Sequence, residues 1–173
     1  MIQLLGIEAG ADILGGLGVR LAPIFGTECG VRPERLDVIF AWDRYRNQYY
    51  STAILRAMQQ LAQPDAHLLA VTSLDLYVPV LTFVFGEAQL EGNCAVVSMH
   101  RLREEFYGLP PSEKLLQERL LKEAVHELGH TFGLRHCDDW RCVMAASHAV
   151  ERVDVKGAEF CFHCGRVVAR GHA

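Results

Sequence analysis

From Ser112 to Phe132 the chain reads SEKLLQERLLKEAVHELGHTF, a run of strong helix formers with no proline and no glycine before Gly129. Ser112 stands where an N-cap belongs, and Gly133 follows the run. At about 100° per residue, Leu121, Ala124, Leu128 and Phe132 gather on one side and mark the face that packs on a core. His126 and His130 fall on roughly the opposite side, one turn apart, with Glu127 flanking them. These imidazoles are therefore expected to face a cleft or solvent. A helix this long with one apolar face requires a partner layer, and the rest of the chain has to supply it.

The partner layer is legible as strands. IQLLGIE (2–8) and RLDVIFA (35–41) are short, branched and apolar, with glycine-rich GADILGGLG between them. That glycine run lacks the Lys-Ser/Thr of a phosphate loop and a clean G-x-G-x-x-G, so no nucleotide site is read there. QYYSTAILRAMQQLAQ (48–63) predicts a helix stopped by Pro64. HLLAVTSLDLYV, LTFVFGEAQL and CAVVSMHRL follow as strands. The order predicts an α/β (α+β) fold with a mixed sheet, and 173 residues, half of them apolar, suffice for a single domain.

Composition narrows the function classes. The net charge is −4 with dispersed basic residues, which leaves no footprint for nucleic acid. The most hydrophobic stretch is broken by Asp75 and Pro79 and reads as strands, not as a membrane span. MIQLLGIEAG has no basic n-region, so a cytoplasmic protein is expected.

Imidazoles at i and i+4 on a helix can share one zinc ion, with Glu127 to the side as a general base and acid for a zinc-activated water. Gly133 permits a left-handed turn after the helix that can bring His136 back as third ligand. Three protein ligands leave the fourth tetrahedral position open, the mark of a catalytic site.

Cys137 and Cys142 form a C-x4-C pair, and Cys161 and Cys164 a C-x2-C pair. The spacings suit a structural zinc held by four thiolates, giving two zinc ions per chain. Disulfides and a redox pair are the alternatives; the expected compartment disfavours the first, and the second leaves Cys137 and Cys142 without a role. Cys29 and Cys94 read as buried free thiols, and His67, His100, His148, His163 and His172 as solvated bystanders.

HELGHTFGLRH (126–136), followed by CDDWRCVM (137–144) and then CFHC (161–164), resembles the archaemetzincin family of the metzincin clan. The resemblance implies a metzincin-like zincin fold, in which a twisted mixed sheet of about five strands backs the active-site helix. It also implies a methionine turn at Met144, beneath the imidazoles. An antiparallel edge strand, here LTFVFGEAQL or CAVVSMHRL, would line the cleft and pair with an extended peptide. The implied molecule is a monomeric zinc peptidase acting on peptide or protein substrates. Its domain spans 1–173, with 1–133 holding sheet and helix and 134–173 the methionine turn and cysteine site. The rival readings are a catalytically weak peptide-binding or regulatory protein on the same fold and a zinc-ribbon nucleic-acid binder. Every tyrosine lies upstream of the zinc motif, so the tyrosine that some metzincins place after the methionine turn has no counterpart here.

Overall fold

The computed structural model describes residues 1–170; His172 lies outside the described residues. Strands β1 (Ile2–Ile7), β2 (Cys29–Arg32), β5 (His67–Thr72), β7 (Gly86–Ala88) and β8 (Cys94–Ser98) form the main sheet in the order β2-β1-β5-β8-β7. Its first four strands run parallel, and β7 closes one edge antiparallel to β8. The strands β3 (Trp42–Asp43), β4 (Gln48–Tyr50) and β6 (Leu76–Tyr77) make a small second sheet.

Both faces of the main sheet are covered, which is why its strands are continuous apolar runs and not alternating ones. Ile2, Leu4, Leu69, Val71, Ala95 and Val97 face helices α1 (Ala11–Phe25) and α3 (Glu113–Thr131). Leu5, Ile7, Leu68, Ala70, Cys94 and Val96 face helix α2 (Ser51–Met58). Helices α4 (Val150–Val155) and α5 (Phe162–Arg170) follow the histidine-bearing segment and bury Val153, Cys164 and Val168 against the α1/α3 layer.

Three sequence expectations are corrected. The glycine-rich stretch is helical: Leu14, Leu17, Leu21 and Phe25 are all buried at helical spacing. Burying each large side chain is worth about 1.5–3 kcal/mol, more than the roughly 1 kcal/mol that each glycine costs a helix. RLDVIFA is not a strand. The Asp37 carboxylate accepts a hydrogen bond from the Ile39 amide at 3.0 Å, starting a turn that continues as a 3-10 helix at Ile39–Ala41. Val38 and Ala41 are buried there, while Ile39 and Phe40 are exposed. The helix expected over 48–63 is also shorter, since Gln48–Tyr50 joins the small sheet.

Helix α3 is capped as expected at its start, with the Ser112 hydroxyl accepting from the Leu115 amide at 3.4 Å. At its end Gly133 adopts φ +87, the Gly133 amide donates to His130 O and the Leu134 amide to Gly129 O. This left-handed cap reverses the chain. Arg119 anchors α4 to α3: buried, it pairs with both Asp154 oxygens at 2.7 Å and with Glu104 at 2.7 Å.

Candidate active site and metal centres

The cap on α3 brings His136 back beside the two helical histidines. Ring centroids are 4.7 Å apart for His126–His130, 5.3 Å for His126–His136 and 5.2 Å for His130–His136. One nitrogen from each lies within 4.8 Å of the others. The histidines line a cleft, one of the two surroundings expected for them. His126 is buried, His130 half-buried and only His136 exposed, so they form the floor of a cleft of about 740 Å³.

Backbone carbonyls fix the tautomers. His126 Nδ1 donates to Val143 O at 2.9 Å and His130 Nδ1 donates to Leu134 O at 2.7 Å. Each Nε2 is therefore left with its lone pair, and the two Nε2 atoms face each other at 3.2 Å. Burial pushes all three imidazoles below their ordinary pKa, and the Lys156 charge adds to this. Two facing lone pairs repel unless a cation lies where they converge. Tetrahedral ligation at about 2.0–2.1 Å separates ligand nitrogens by about 3.3 Å, so the donor set fits a zinc ion.

Glu127 is buried and lines the same cleft. Burial pushes its carboxyl well above the usual range, Glu123 one turn earlier adds to this, and Lys156 opposes it. Edge strand β7 passes directly over it: a Cβ on Gly86 would lie 2.6 Å from Glu127 Cγ. The cleft is also lined by Leu81, Phe83, Phe85 and Leu90 and by Arg135, Ser147 and His148.

The chain after His136 builds a second cluster. Cys137, Cys142, Cys161 and Cys164 bring their sulfurs within 4.8 Å of one another, and none is in a disulfide. Cys137 Sγ and Cys161 Sγ are 3.9 Å apart, far beyond the roughly 2.05 Å of a disulfide and near the 3.8 Å or so of thiolates ligating zinc at about 2.3 Å. The Cys161 amide donates to Cys142 Sγ at 3.3 Å. The Cys164 amide and the neighbouring thiols lower Cys161 to about 7, favouring the thiolate there.

The two clusters share backbone. Cys137 N donates to Met144 O at 3.0 Å, and Val143, whose carbonyl holds His126, is itself tied to Glu159 O at 3.0 Å. Met144 is fully buried beneath α3, where a Cβ on Gly129 would lie 2.5 Å from its sulfur. The second variable position of H-E-x-x-H is thus glycine because the methionine packs against it.

Other assignments change. His67 Nδ1 lies 2.7 Å from Thr131 Oγ1 and its ring stacks on Phe132, while His100 Nδ1 lies 3.2 Å from Ser73 O; neither is a solvated bystander. His148 and His163 are exposed, and His148 lines the cleft. Cys94 is buried as expected, and burial raises its thiol to about 11; Cys29 is only half-buried. Sequence reasoning missed Glu123, Lys156 and Gly86 at the site. Glu123 precedes Glu127 by one helical turn, a signal that was available; Gly86 and Lys156 carried none. Among the described residues, no helix is long and apolar enough to cross a membrane.

Known proteins resemble this chain over most of its length. The model of "Peptidase family M54" matches residues 31–170. The archaemetzincin of Methanocaldococcus jannaschii is 43% identical over 154 residues, covering 88% of this chain and 83% of that protein. That of Pyrococcus furiosus is 46% identical over 128 residues, covering 73% of this chain and 67% of that protein. Among solved structures, the archaemetzincin of Archaeoglobus fulgidus, complexed with malonate, superposes with TM-score 0.83 at 38% identity, covering 96% of this chain and 98% of that one. A zinc-dependent peptidase from Methanocorpusculum labreanum superposes with TM-score 0.86 at 29% identity, covering 97% of this chain and 100% of that one. With the matched residues running through the helix, the three histidines and both cysteine pairs, the chain belongs to peptidase family M54, the archaemetzincin family of zinc metallopeptidases.

Proposed function

We propose that His126, His130 and His136 hold the catalytic zinc, that Glu127 is the general base and acid, and that Cys137, Cys142, Cys161 and Cys164 hold a second, structural zinc. The observation that carries the reading is the pair of carbonyl-anchored imidazoles with lone pairs facing at 3.2 Å beside a buried carboxylate. When bound, zinc supplies a Lewis acid that polarises a peptide carbonyl and acidifies water. Glu127 removes a proton from the attacking water and delivers it to the leaving amine nitrogen, so the carboxylate is regenerated as the C–N bond breaks. Its apolar, desolvated setting strengthens that proton affinity. Met144 supports the floor under the helix.

The substrate is an extended peptide. Strand β7 is the last strand of the sheet and pairs with β8 alone within it, leaving its outer edge towards the cleft for a substrate strand. We read 1–173 as one peptidase domain, because Cys142, Val143, Met144 and Val153 share a single core with β1, β5 and β8.

Gly86→Ala is expected to lower kcat about tenfold or more while leaving metal content unchanged, since the new Cβ displaces either Glu127 or the edge strand. Steady-state kinetics beside metal analysis checks this. The function itself is tested with a panel of unstructured peptides, incubated with zinc or with a chelator. Cleavage that requires zinc is expected; binding without cleavage in the zinc-loaded protein would favour a peptide-binding role.

A further inference from the structure

Lys156 and Glu123 form a charged pair that is almost fully buried, with side chains 1% and 4% exposed and Lys156 Nζ 2.8 Å from Glu123 Oε1. The contact is one of charge, because Oε1 lacks an aligned hydrogen bond. Lys156 Nζ also donates to Ala145 O at 3.3 Å and lies 3.5 Å from His126 Nδ1. Ala145 directly follows Met144 and is two residues from Val143, whose carbonyl fixes the tautomer of His126. Lys156 closes the C-terminal end of α4, and Glu123 lies on α3 and lines the cleft. One ammonium thus touches the active-site helix, the methionine turn and the surroundings of a metal ligand.

Stability is a weak reason for such a pair. Desolvating two charges is costly, and apolar replacements of similar volume are often neutral or stabilising. An ammonium this close to a zinc ligand would also oppose binding of a dication unless a carboxylate neutralised it.

We propose that Lys156 and Glu123 are positioning residues for the metal site. Lys156 ties the turn that carries Val143 to the helix that carries His126, and Glu123 neutralises the cation this requires. The inference rests on the metal reading of the three histidines.

The test uses the full chain, preloaded with one equivalent of zinc to fill the cysteine site and then titrated with cobalt(II), followed by visible absorption and competition with a chelator. Glu123→Gln keeps the lysine and is expected to weaken cobalt binding about tenfold or more. The double variant Lys156→Met/Glu123→Leu is expected to fold, with a wild-type far-UV spectrum, yet to bind cobalt more weakly and with shifted d–d bands. Wild-type affinity and spectrum in that double variant would overturn the positioning role, and wild-type affinity in Glu123→Gln would overturn the neutralising one. Should the double variant fail to fold, Glu123→Gln still decides. A wild-type chain that takes up no cobalt beyond its zinc would instead overturn the metal reading itself.

Discussion

In the Glu127→Ala variant, kcat for peptide cleavage is expected to fall by about 10²–10⁴-fold with both metal sites still filled. The size follows from the lack of a substitute. The carboxylate of Glu87 accepts hydrogen bonds from Ser51 Oγ and from Thr52 Oγ1, which binds strand β7 to the start of α2. That of Glu123 is engaged by Lys156. Neither is free to move protons at the cleft floor. The imidazoles keep their carbonyl partners when Glu127 is truncated, so metal content should hold. Kinetics and zinc analysis on one preparation check the result. Cleavage at the wild-type rate would assign the base to another group.

Cys161→Ser is expected to lower the melting temperature by roughly 10 °C or more, corresponding to several kcal/mol in a chain of this size. A structural zinc contributes directly to folding free energy, and the proposed one would sit against the main core: Cys142 and Cys164 are buried in the same cluster as Val143, Met144 and Leu128. Loosening it should spread through the hydrogen bond from Cys137 N to Met144 O into the histidine floor. The variant should therefore also lose affinity for metal at the three histidines. Differential scanning calorimetry reads the first effect and a chelator titration the second; an unchanged melting temperature would argue against a structural metal at the cysteines.

Much of this architecture was legible in the sequence where the signal was local and redundant. The helix ending at Gly133 announced its N-cap, its apolar face and its left-handed stop, and each is present. The strands IQLLGI, HLLAVT and CAVVS lie in a sheet covered on both faces, so their unbroken apolar runs pointed to the right elements. Reading failed where tertiary burial overruled local preference. Glycines hid the first helix, because propensity is weaker than the burial of Leu14, Leu17, Leu21 and Phe25. One Asp37 turn undid a plausible strand at RLDVIFA. At the site, the metal-ligand candidates were legible because ligand chemistry demands particular residues at fixed spacing. Lys156 was not, since its contact with Glu123 spans 33 positions in sequence and depends on how α4 docks.

Counting zinc tests the central claim of two adjacent metal sites most directly. Purified in zinc and dialysed, the wild-type chain should carry two zinc ions, the His126→Ala/His130→Ala variant one, and the Cys161→Ser/Cys164→Ser variant no more than one. A wild-type chain with a single zinc, or two zinc ions retained after both helical histidines are removed, would contradict it.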